Sequence, residues 1–105
     1  MIPNCVEFIL NCYSDLLSIQ TTDCEDIGRL CPIPFFEEPL LMDLCHASVE
    51  SLKDQTSLIT LHAPIYVIGD IHGNIFDLVR IFIHSTPPPR SRFLFLGDYV
   101  DRGQF

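Results

Sequence analysis

The spacing of apolar residues changes character along this chain, and each change predicts an element. Val6, Ile9, Leu10, Tyr13, Leu16 and Leu17 recur at intervals of three and four, which predicts an amphipathic helix from Asn4 to about Ile19 with Asn4 as its N-cap. Thr21 to Pro34 mixes Asp23, Glu25, Asp26 and Gly28 with two prolines and reads as a connecting loop with at most one short helical turn. A second helix is predicted from about Pro39 to Lys53. Pro39 suits its first turn, Glu37 and Glu38 its positive end, and Leu41, Leu44, Cys45, Ser48 and Leu52 share one face. Both helices read as packing scaffold. His46, next to Cys45, reads as a helix-surface histidine, because adjacent helical residues point in different directions.

The period then shortens. Thr56 to Pro64 is a short apolar lead-in to Ile65-Tyr66-Val67-Ile68, and Phe93-Leu94-Phe95-Leu96 is a second run of the same kind. Each is β-branched or aromatic, long enough for one buried strand, and each ends in Gly-Asp. Pro64 is tolerated at a strand start. Between the runs, Ile75, Leu78, Val79 and Phe82 return to helical spacing, with Asn74 and Asp77 resembling a capped start. This helix stops before Thr86-Pro87-Pro88-Pro89-Arg90, where three prolines make a stiff connection; a ligand for a proline-recognition module is the alternative. The predicted fold class is α/β, N-terminal helices followed by a β-α-β unit. A right-handed crossover makes its strands parallel. In open α/β sheets ligands bind beyond the C-terminal strand ends, so Asp70, His72, Asp98, Asp101 and Arg102 converge on one crevice.

Composition narrows the function classes. A chain of 105 residues, 48% hydrophobic, makes about one small domain with a core. A formal net charge of −8 with six Lys and Arg excludes a nucleic-acid partner, which needs a basic face. Met1 to Glu7 lacks a basic leader region and no apolar run is of membrane-spanning length, so a soluble protein of the cytoplasm or nucleus, with no membrane partner, is expected. Five cysteines without a C-x-x-C pair indicate neither a zinc knuckle nor a disulfide framework, and buried reduced thiols are expected.

The chemistry lies at the strand ends. Asp70-x-His72 places two metal-ligand types two residues apart, and in extended backbone such residues face the same way. Carboxylate plus imidazole suits first-row divalent metals rather than calcium, leaving zinc, manganese and iron open. Asp98 can supply a third ligand or bridge to a second ion. A lone Asp after a strand is more often a turn or cap residue. The repeated Gly-Asp argues for a metal, because two carboxylates brought together need a cation between them. Gly69 and Gly97 suit positions where backbone passes close to a neighbour or ligand; turn geometry is the alternative. Arg102 has a planar fork that fits two phosphate oxygens, the alternative being a salt bridge to Asp101. A metal pair with an arginine implies phosphoryl chemistry. P-loop and Cys-x5-Arg signatures are absent.

Gly69-Asp70-Ile71-His72-Gly73 followed by Gly97-Asp98-Tyr99-Val100-Asp101-Arg102-Gly103 resembles the first two signature motifs of the metal-dependent phosphoprotein phosphatases. These are the serine/threonine enzymes of the type-1, type-2A and calcineurin kind, within the calcineurin-like metallophosphoesterases. Asp77 to Phe82, Phe93 to Leu96, Leu44-Cys45 and Ala63-Pro64 extend the likeness over about the second two-thirds of the chain. The resemblance implies a β-sandwich flanked by helices, with residues 1–55 an N-terminal helical region and 56–105 the start of the catalytic domain. It implies hydrolysis of phosphoserine and phosphothreonine by a metal-activated water at a site of two divalent ions, manganese, iron or zinc. In it Asp70 and His72 bind one metal, Asp98 bridges two, Arg102 holds the substrate phosphate and Asp101 orients a general-acid histidine. Phosphoprotein substrates and regulatory subunits are the implied partners. Asn74 departs from the glutamine of the best-known members. The family's third motif, Gly-Asn-His-Glu, and two further metal histidines are not among these residues, and His46, His62 and His84 do not match them. The expectation is an N-terminal fragment, inactive by itself and with apolar sheet surface left open; the competing expectation is a non-catalytic, truncated interaction module.

Overall fold

The structure is a computed structural model that describes residues 4–19 and 21–105. Its elements run α1 (Asn4–Cys12), α2 (Ser14–Leu17), a 3-10 helix (Thr21–Asp26), α3 (Glu38–Leu52), β1 (Tyr66–Ile68), α4 (Ile75–Ser85) and β2 (Phe93–Phe95). The mixed α/β class stands. β1 and β2 pair in parallel, in register Tyr66↔Phe93, Val67↔Leu94 and Ile68↔Phe95, with α4 as the connection.

The expected first helix is broken in two. At Tyr13 (φ −89°, ψ 0°) the backbone leaves the helical region, although its amide still reaches the Ile9 and Leu10 carbonyls at 3.2 and 3.1 Å. The Tyr13 ring packs against Phe36, centroids 6.0 Å apart, and Leu16 in the next turn is buried. The expected N-cap is also displaced: Asn4 is inside α1, directly after residues 1–3, which lie outside the described residues.

The segment read as a loop carries part of the core. Cys24 and Ile27, three residues apart and so on one side of a 3-10 turn, are buried with Leu16 and with Val79 of α4. This cluster takes residues from both sides of position 55. In α3 the less exposed positions are Leu40, Leu44 and Ala47, whereas Leu41, Cys45, Ser48 and Leu52 are exposed. The packed face is therefore rotated from the predicted one, because the run of apolar residues around Leu40 and Leu41 supports two overlapping stripes.

α4 forms as its sequence dictates. The Asp77 amide donates to Asn74 Oδ1 at 3.1 Å, the Asn74 side-chain amide donates to Asp77 Oδ2 at 2.8 Å, and Val79 faces the core. The helix ends where Thr86 adopts φ 63° ahead of the prolines. The strands, however, are not fully buried: Tyr66 and Val67 of β1 are 47% and 57% exposed, and the three residues of β2 are only partly buried. Two strands and one crossover helix leave much of the sheet surface uncovered among the described residues. No described helix is long and apolar enough to cross a membrane.

Candidate metal centre

Both strands end one residue or two before a glycine, and the segments that follow cross each other. The Ile71 and His72 amides donate to the Asp98 carbonyl at 3.0 and 2.8 Å, and the Gly73 amide donates to the Tyr99 carbonyl at 2.8 Å. These bonds continue the strand pairing as a crossing of two loops. At the crossing point the backbones touch. A Cβ on Gly103 would collide with the His72 carbonyl and with Gly73, and one on Gly73 would collide with the Phe105 carbonyl. Gly69 and Gly97, where close approach was expected, have no neighbour within 4 Å of such a Cβ; Gly97 instead supplies a left-handed turn at φ 109°.

The Asp70-x-His72 pair does not meet through an extended backbone. His72 is left-handed at φ 49°, and so are Asp98 (53°), Asp101 (69°) and Arg102 (69°). L-residues adopt this region at a cost and persist in it where their surroundings impose it, most often at functional sites. Here the paired amides of residues 71–73 impose it on His72, so a reading from strand alternation alone misses the actual route by which the side chains converge.

The result is a tight group. Ligand atoms of Asp70, His72 and Asp98 all lie within 4.8 Å of one another, and His72 Nε2 is 3.3 Å from Asp70 Oδ2. His72 Nδ1 is 3.3 Å from the Val100 carbonyl oxygen, which can only accept, so Nδ1 carries the proton and donates. Nε2 then turns its lone pair toward a carboxylate, an arrangement of two acceptors that is repulsive until a proton or a cation lies between them. With Asp98 adding a second carboxylate, these donors fit a divalent cation. An imidazole whose other nitrogen donates to a backbone carbonyl is also the usual way of fixing a metal-binding tautomer. The Val100 carbonyl was invisible to sequence reasoning, since a main-chain acceptor leaves no residue-type signal.

Asp101 and Arg102 share the second loop but stand outside this group, both exposed. Among the described residues neither forms an ion pair, so the alternative of an Asp101–Arg102 salt bridge is not the arrangement found. No other described cluster of His, Cys, Asp and Glu has metal-binding geometry, and His46 lies apart on α3.

Residues 63–105 match the family model of the calcineurin-like phosphoesterases. The matched segment is the one that holds β1, α4, β2 and the crossed loops. This supports the metallophosphoesterase superfamily, and with it a phosphoester hydrolase of a kind that works with divalent metals.

Proposed function

We propose that the protein is a serine/threonine protein phosphatase that acts on phosphoserine and phosphothreonine. The observation that carries the proposal is the Asp70, His72 and Asp98 group at the crossing of two parallel strand ends. In this reading Asp70 and His72 would hold one ion, and Asp98, with two carboxylate oxygens, would be shared with a second. Such ions supply Lewis acidity toward a phosphoryl oxygen and toward an attacking water. The Val100 carbonyl keeps the His72 proton on Nδ1, so Nε2 stays a donor of electron density. Arg102, with no ion-pair partner among the described residues, is available to donate two parallel hydrogen bonds to phosphoryl oxygens. Asp101, following the family resemblance, positions the imidazole that protonates the leaving oxygen.

Manganese, iron or zinc suits the mixed donor set. Residues 1–55 serve as an N-terminal helical region and 56–105 as the start of the catalytic domain. Phosphoproteins and regulatory subunits are the partners, and the cytoplasm or nucleus is the compartment.

The test is a substrate panel on the protein at its full natural length: a phosphoserine peptide, a phosphothreonine peptide, a nucleoside monophosphate and an aryl phosphodiester, each with manganese. The expected result is preference for the two peptides in kcat/KM. Preferential hydrolysis of the diester or nucleotide would overturn the protein-phosphatase reading while leaving phosphoester hydrolysis in place.

A further inference from the structure

All six basic side chains of the chain are among the described residues, and they divide evenly. Arg29, Lys53 and Arg80 each pair with a carboxylate three positions earlier: Asp26 at 3.2 Å, Glu50 at 2.8 Å and Asp77 at 2.9 Å. Arg90, Arg92 and Arg102 have no carboxylate partner among the described residues. Arg102 belongs to the loop of the candidate metal centre. The other two line a separate feature, an open groove of about 590 Å³ between residues 63–66 and 90–92. It lies where the strands begin, beside the first register pair Tyr66↔Phe93, whereas Asp70, His72 and Asp98 follow the strand ends.

The groove is held in shape by its own chain. Arg92 Nη1 donates to the His62 carbonyl at 2.7 Å, and the Tyr66 amide donates to the Arg92 carbonyl at 2.9 Å, so both walls are tied together. Ser91 Oγ donates to the Ser85 carbonyl and shares a 2.6 Å hydrogen bond with Thr86 Oγ1, fastening the loop to the end of α4. Three prolines between these anchors restrict the backbone further. A loop fixed in advance loses less entropy when something binds to it. Arg92 keeps its Nε and Nη2 donors for an incoming group, and Arg90 keeps its whole fork. The floor is apolar, made by Pro64, Ile65 and a half-exposed Tyr66.

We propose that this groove docks a short acidic peptide segment of a partner protein, with an apolar side chain on the Pro64–Tyr66 floor and carboxylates on Arg90 and Arg92. Charge decides for this occupant. Two unpaired guanidinium groups in a chain of net charge −8 form a local positive spot on an acidic molecule. A nucleic acid would carry charge far past that spot into a repulsive field. A peptide with two or three carboxylates ends within it, inside about one Debye length. The inference does not depend on the phosphatase reading.

The probe is a fluorescein-labelled octapeptide with leucine flanked by glutamates, followed by anisotropy against the 105-residue chain in EDTA at low salt, so that metal bridging plays no part. Saturable binding is expected, weakened about tenfold or more by Arg90→Glu, a change in charge-assisted contacts of the usual size. Replacing the probe's glutamates by glutamines should weaken it similarly. Amide resonances of Ala63, Ile65, Tyr66 and residues 90–92 should shift while those of 70–73 do not. Arg90 makes no side-chain hydrogen bond or ion pair among the described residues, so its variant tests the groove even where Arg92→Ala disturbs the His62 contact. Unsaturable binding, indifference to Arg90→Glu, tighter binding of a single-stranded 12-mer DNA, or the same resonance shifts with inorganic phosphate alone would each overturn the proposal.

Discussion

Residues 4–55 and residues 63–105 are ordered by different means. In the first region the helices form but stay open-sided: neither α1 nor α3 contains a buried residue, and Phe8, Val49 and Leu52 are each more than half exposed. What holds this region to the rest is a small cluster, Leu16, Cys24 and Ile27, against Val79. In the second region Val79 is the one fully buried residue among those described, yet the backbone is pinned by amides of one loop bonding carbonyls of the other, at glycines where the two loops touch. Apolar burial stabilises in proportion to area and tolerates rearrangement, whereas a crossed hydrogen-bonded loop fixes particular atoms in particular places. A centre that has to hold three side chains within a few ångströms needs the second kind of order.

The largest expected effect separates the regions completely. Asp98→Asn should weaken manganese binding to the 105-residue chain by at least the ~10–100-fold that loss of an outer-shell partner typically costs, since here a ligand's charge is removed. The parent chain is expected to bind one ion, because only one group of three ligands is present among the described residues. On the protein-phosphatase reading proposed above, the same variant should lower phosphopeptide turnover by orders of magnitude. The urea midpoint without metal should hardly move, because Asp98 is exposed and the carbonyl that ties the loops is main chain. Titration calorimetry checks the first expectation; unchanged affinity would break the assignment of rigidity to the metal centre.

A smaller effect tests the crossing itself. Gly103→Ala forces a methyl group into the His72 carbonyl and Gly73, an overpacking that costs about 1–3 kcal/mol and separates the loops. Gly69→Ala, with nothing within 4 Å, should cost much less, about the ±0.5 kcal/mol of an ordinary surface change. Urea unfolding with and without manganese distinguishes them: Gly103→Ala should lose both stability and metal affinity, Gly69→Ala neither. Equal behaviour of the two variants would mean that the contact between loops is not what orders the centre.

The contrast also explains what the sequence made legible. The strands, their parallel pairing, α4 and its cap follow from local periodicity and local chemistry, and the composition of the Asp70, His72 and Asp98 group follows from Gly-Asp at two strand ends. The left-handed turn at His72 does not, because it is imposed by carbonyls of residues 98 and 99, far away in sequence. Nor does the identity of the crowded glycines, which depends on how two loops cross rather than on either loop alone. In the helical region the misread parts are tertiary too. Cys24 and Ile27 sit in a stretch whose acids and glycine signal a loop, and a single three-residue spacing is too short to register as a period. The α3 face is ambiguous because Leu40 and Leu41 each begin a plausible stripe, and only contact with neighbouring elements selects one.

The smallest expected effect compares how the two regions start a helix. α4 is capped by a side chain: Asn74 Oδ1 accepts the Asp77 amide, and Asn74 Nδ2 returns a bond to the Asp77 carboxylate. α3 has Glu37 at the same position with no side-chain hydrogen bond, and relies on Pro39, whose ring has no amide to satisfy, and on acidic residues facing its positive end. Asn74→Ala therefore leaves a first-turn amide without its partner and should cost about 1 kcal/mol, within the usual range for losing a cap. Because Asn74 directly follows the His72-Gly73 turn, and its own amide bonds the Ile71 carbonyl at 3.0 Å, manganese affinity should fall with it. Glu37→Ala removes only a screened charge effect, so its smaller loss should vanish in high salt and leave metal binding untouched. Parallel urea titrations at low and high salt check both variants. A salt-sensitive loss at Asn74, or a salt-independent one at Glu37, would show that the two helices begin in the same way and that the difference drawn between the regions does not extend to their helix starts.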